Sequence, residues 1–200
     1  MALIDRAKNM ITTPKTEWAV IASEEPNQGA MVTGYALPLI LLSAAAAFVG
    51  YGLIGYNVMG FHFSGINWGL YYAITQILFG LASVYITTYV VDALAPSFAS
   101  EKNTGRAMQL VVYSMTPAWI GGILSIYPSL AWIGMLFGLY SLYLIYLGLP
   151  HTMKTPQDKV AVYMVVTIVA LIVVYAIVGI LLAKPLQSIF GVGYDMNIRF

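Results

Sequence analysis

Five long apolar runs, each bounded by polar or turn-forming residues, dominate the pattern of this chain. They extend from about 31 to 56, 68 to 95, 107 to 126, 129 to 149 and 160 to 183. A helix needs about 20 apolar residues to cross roughly 30 Å of hydrocarbon, and each run meets that length. The last, VAVYMVVTIVALIVVYAIVGILLA, contains no charge. Its β-branched residues would favour a strand in water, but an open strand in lipid leaves its edge unsatisfied, so a helix is expected. Prolines punctuate the runs. Pro96 and Pro150 are expected to end the second and fourth, because a residue before proline is driven out of helical geometry. Pro128 suits the first turn of the fourth. Thr155-Pro156-Gln157-Asp158 reads as an N-cap, a proline at the first helical position and an early acid.

Before the first run lie some thirty residues with a different rhythm. Leu3, Ile4, Ala7, Met10 and Ile11 fall on one helical face, with Asp5, Arg6, Lys8 and Asn9 opposite. Thr13-Pro14 can start a second short helix carrying Trp18, Val20 and Ile21. Such a pair can lie in the membrane interface, where tryptophan is at home, or pack as a cap on the bundle; the interface is the favoured expectation. The expected organisation is a segment over 1–30, a five-span domain over 31–184 and a short tail over 185–200. The fold class is all-α: a five-helix transmembrane bundle preceded by amphipathic interfacial helices.

Composition supports the membrane reading. The 200 residues are 60% hydrophobic and 8% charged, with a mean hydropathy of +0.81. A soluble domain carries about 25% charged residues. The net charge of +1 gives no field for nucleic acid, and the absence of cysteine excludes disulfides and thiolate chemistry. The N-terminus lacks the basic, apolar and small-residue regions of a signal peptide. Basic residues set the orientation. Arg6, Lys8, Lys15, Lys102, Arg106, Lys154 and Lys159 fall on one side of five spans, with Lys184 and Arg199 on the other. The N-terminus is therefore expected in the cytoplasm and the C-terminus outside.

Candidate chemistry is sparse. Asp92 is the one acid within a run; near the end of its helix it is expected to pair with Lys102 or Arg106 rather than handle ions. Gln76, Gly80, Ser83 and Thr87 share a face that suits close helix approach more than a polar path. Gly134 and Gly138 form a small-xxx-small pair of the same kind. Pro117 frees the carbonyl of Tyr113 inside the third run, where Ser114, Thr116 and Trp119 add polar groups. The bend is either a packed kink or a hinge. Tyr140, Tyr143 and Tyr146 are read as anchors and packing. There is no HExxH and no second intramembrane aspartate. His62 and His151 fall on opposite membrane sides. Gly191 to Asp195 only superficially resembles a glycine-rich motif. No catalytic residue, metal or cofactor is expected; Asp92, Tyr113, Pro117, Trp119, Tyr146 and Lys154 remain candidate polar sites.

Several tracts resemble the Yip (Ypt-interacting protein) membrane family in its bacterial branch. They are Arg6-Ala7-Lys8-Asn9 with Pro14 to Trp18, Thr33-Gly34-Tyr35 to Leu37-Pro38, Asp92 to Pro96, and Tyr113 to Trp119. Gly138-Leu139-Tyr140, Leu144 to Pro150, Met153 to Pro156 and Asp158-Lys159 are similar too. His151 and Thr152 depart from the apolar residues the family has there. The resemblance implies five spans, a cytoplasmic N-terminal region and a bacterial inner membrane, with no catalytic residue to carry over. Eukaryotic members are tied to vesicle trafficking and Rab-type GTPases. A non-enzymatic scaffold that organises membrane or recruits a peripheral cytoplasmic protein is the leading expectation. Its partners would be the lipid bilayer and such a protein or a second copy. The alternative is an oligomeric channel or transporter for a small solute or ion.

Overall fold

The computed structural model describes residues 2–58 and 60–192. Two short helices, α1 (Leu3–Thr12) and α2 (Pro14–Ser23), come first. Five helices long and apolar enough to cross a membrane follow among the described residues: α3 (Gln28–Ile54), α4 (Ile66–Phe98), α5 (Thr104–Ile126), α6 (Pro128–Thr152) and α7 (Gln157–Phe190). The chain is an all-α membrane bundle. A small antiparallel hairpin, β1 (Tyr56–Val58) with β2 (Phe61–Phe63), joins α3 to α4 and pairs Asn57 with His62.

Burial ranks the helices. In the most apolar stretch of α5, 61% of residues are buried, against 11% in α7. The central helix is thus α5, and α7 shows most of its surface to lipid. Small residues let the helices close on one another. Gly52 of α3 meets Gly69 of α4 backbone to backbone, and Gly80 lies against Ile40. Gly134 faces the Gly121 carbonyl, whereas Gly138 has open space beside it. The α3 helix passes through two wider π-helical stretches, Val32–Ala36 and Phe48–Ile54.

Helix ends depart from the sequence reading at several points. Pro96 ends the regular α-helix at Leu94, but α4 runs on through a 3-10 turn to Phe98. Pro150 does not stop α6, which runs on to Thr152. A proline in the last turn costs a single backbone bond, and the Thr152 hydroxyl donates to the Gly148 carbonyl at 3.0 Å. Thr155 does not cap α7: its hydroxyl is shared with Ser100 at 2.9 Å, and α7 begins at Gln157 without a side-chain cap. The sequence did not reveal two true caps. Asn27 accepts from the Ala30 amide at 3.0 Å, and Asn103 from the Arg106 amide at 3.1 Å. Beyond Pro185, α7 continues to Phe190 and closes on Gly191, whose φ of 61° suits glycine. Residues 193–200 of the tail, Gly193 to Asp195 and Arg199 among them, lie outside the described residues.

Candidate functional site

The N-terminal helices are built into the bundle. Trp18 is completely buried, its ring lodged at Gly148 of α6 beside Leu110 of α5. The interface role expected of Trp18 gives way to this slot, which only a glycine at 148 leaves open. Arg6 is also corrected. The helical pattern put it on the polar face, opposite the apolar face that carries Ile4. Arg6 is instead 4% exposed, and Ile4 is 76% exposed.

Acids from further along the chain explain the inversion. The Arg6 guanidinium donates to Glu17 at 2.6 Å, to Glu24, and lies 5.2 Å over the Tyr113 ring. Asn9 donates to the second Glu17 oxygen at 3.0 Å, so both oxygens of this buried carboxylate are satisfied. Burial works against the Arg6 charge, and Glu24 and Glu17 more than offset it, holding its pKa above the ordinary arginine value. The junction continues into α5. Arg106 donates to the carbonyls of Ala22 at 3.1 Å and Glu24 at 2.8 Å, and to the Gln109 side chain at 2.9 Å. Gln109 in turn donates to the Glu24 carbonyl at 3.1 Å. These contacts satisfy the carbonyls at the open end of α2. Beside them lies a cleft of about 410 Å³ lined by Arg6, Glu24, Asn27, Tyr35, Gln109 and Tyr113 among others.

Of the residues singled out from the sequence, Tyr113 joins this junction. Pro117 and Trp119 lie just below it. The Thr116 hydroxyl donates to the Tyr113 carbonyl that Pro117 frees, at 2.7 Å, and shares a hydrogen bond with the Tyr35 hydroxyl at 2.8 Å. Trp119 is buried, and its carbonyl accepts from Ser43. This is a packed kink with its backbone re-satisfied.

Asp92 lies apart. Its expected cationic partner is replaced by Thr104, whose hydroxyl donates to one carboxylate oxygen at 2.8 Å; Arg106 is drawn to the N-terminal helices instead. The other oxygen, Oδ1, is buried without a hydrogen-bond partner. Lys154 turns outward with a φ of 53° and pairs with Glu101 at 2.6 Å. Tyr146 and Tyr143 are exposed, while Tyr140 donates to the Ile11 carbonyl at 2.8 Å. His62 belongs to the hairpin and His151 to the last turn of α6.

The family model described as Yip1 domain matches residues 8–180. The chain belongs to the Yip1 family. Two relatives from Escherichia coli strains, each called Inner membrane protein YohC, are 25% identical over 156 residues, covering 75% of this chain and 80% of the relative. No solved structure matches the chain. Within the Yip1 match lie Glu17, Glu24, Arg106, Gln109 and Tyr113, whereas Arg6 precedes it. What made the junction hard to read is its long range. Arg6 meets acids 11 and 18 residues away, across the turn between α1 and α2, so no i,i+3 or i,i+4 spacing within one helix marks the pairs.

Proposed function

We propose that this Yip1-family protein is a non-enzymatic scaffold of a bacterial inner membrane, with α1 and α2 forming a cytoplasmic platform that recruits a peripheral protein or a second copy. The observation that carries the reading is the ionic junction itself. It fixes two short helices to the bundle while leaving Ile4 76% and Val20 40% exposed on them. Rigid, partly apolar surface outside the spans suits protein recognition. The cytoplasmic placement rests on the basic residues, seven of which belong to the N-terminal helices or to two connections and the first turns of the helices that follow them. Relatives named as inner membrane proteins support the location.

The chain has no cysteine, so single cysteines at Ile4 and Val20 give unique attachment points for a crosslinker in intact membranes. A discrete protein adduct at each position, accessible from the cytoplasmic side and lost from the Val20 position when Ile4→Asp is added, is the expected outcome. Adducts no different from those at Leu139 on the lipid-facing side would sink the reading.

A second reading, a conductor for a small solute or ion, draws on the buried, unpartnered Oδ1 of Asp92. It predicts flux in proteoliposomes that Asp92→Asn reduces. Vesicles no leakier than empty ones, across several ions and pH gradients, would exclude it.

A further inference from the structure

Where the corner between α1 and α2 meets α6, two cavities adjoin through Tyr140. One, of about 300 Å³, is apolar, formed by Ile11, Pro117, Leu136 and Phe137 with Tyr140. The other, of about 350 Å³, is formed by the polar turn 12–16 with Tyr140 and Tyr143. The Tyr140 hydroxyl, held on the Ile11 carbonyl, fixes the wall they share. Both open toward lipid, since Leu136, Leu139 and Tyr143 of α6 are 55%, 62% and 42% exposed.

The second cavity has one charged side chain, Lys15. The hydroxyls of Thr12, Thr13 and Thr16 already donate to carbonyls of their own turns. Among the described residues Lys15, like Lys8, Lys102 and Lys184, makes no ion pair, and of these four it is the one that lines this cavity. A cation beside a lipid-facing groove attracts an anionic headgroup, and its alkyl stem can follow apolar surface. A charged side chain beside apolar, lipid-facing grooves matches an amphiphile with a phosphate head.

We propose that the paired cavity binds an anionic phospholipid, its phosphate at Lys15 and an acyl chain along Leu136 and Phe137. The site stands independently of the scaffold reading, because it lies on the membrane flank rather than on the exposed Ile4 and Val20 surface.

The test reconstitutes the full chain in nanodiscs of phosphatidylcholine with a minor share of phosphatidylglycerol. Lipid retained after mild-detergent extraction is then quantified by mass spectrometry, with thermal unfolding confirming that each variant is folded. Wild type should retain phosphatidylglycerol above its share of the disc. Lys15→Gln should lower that enrichment by about five-fold, the worth of one lysine at an anionic surface. Leu136→Trp, which fills the apolar groove, should lower it too, whereas Lys15→Arg and Lys102→Gln should keep it. Three results would overturn the proposal. They are no enrichment in wild type, equal losses in Lys15→Gln and Lys102→Gln, and displacement of the lipid by soluble glycerol 1-phosphate, which would mean that phosphate alone is recognised.

Discussion

A single buried arginine organises the N-terminal end of this molecule. Removing one partner of a buried ion pair leaves the other charge stranded, at a cost of about 3–5 kcal/mol. Arg6→Ala strands Glu17, whose side chain is 4% exposed, and should lower thermal stability in detergent by that order. The double change Arg6→Ala with Glu17→Ala should be milder than the sum of the two single changes. Strict additivity would show that the pair is not coupled. Residue-scale chemistry was legible where partners are near in sequence. Pro117, the freed Tyr113 carbonyl and Thr116 lie within one helical turn, so the re-satisfied kink could be anticipated as one of two outcomes. Arg6, Arg106 and Asp92 could not be read in the same way. A helical wheel sends charges outward by default, and only tertiary contact shows that Arg106 is spent on the carbonyls of α2 while Asp92 settles for Thr104.

At the scale of elements, the five spans were legible because lipid leaves an apolar run of that length little choice but a helix. The docking of α2 was not, because it depends on a missing side chain. A methyl placed at Gly148 would fall 2.5 Å from Leu110 Cδ1 and 2.7 Å from the Trp18 ring, contacts that force a shift. Gly148→Leu should therefore push Trp18 out of its slot. Overpacking of this kind costs about 1–3 kcal/mol. Tryptophan fluorescence and quenching by lipid-borne quenchers should report a more accessible indole, read against Trp18→Phe in both backgrounds. An unchanged spectrum would mean that α2 does not rest on α6. The hairpin between α3 and α4 and the π-helical stretches of α3 left no comparable mark, since each depends on local close approach such as that of Gly52 to Gly69.

For the whole molecule, the central consequence is that α1 and α2 belong to the folded bundle. The segment preceding the spans contributes Met10, Trp18 and Ile21, each completely buried, to the core. It is also tied to α5 through Arg106, Gln109 and Tyr113. That makes it a fixed platform beside the most enclosed helix, whereas a segment floating in the interface would have no fixed geometry to offer a partner. Exchange protection follows such tertiary enclosure. Hydrogen–deuterium exchange of the full chain in lipid nanodiscs tests the distinction most directly. The account predicts that amides of residues 6–13 and 17–21 exchange as slowly as those of α5, and that Arg6→Ala speeds the first set far more than the second. Rapid exchange over residues 6–13 and 17–21 in the wild-type protein, unaltered by Arg6→Ala, would contradict it.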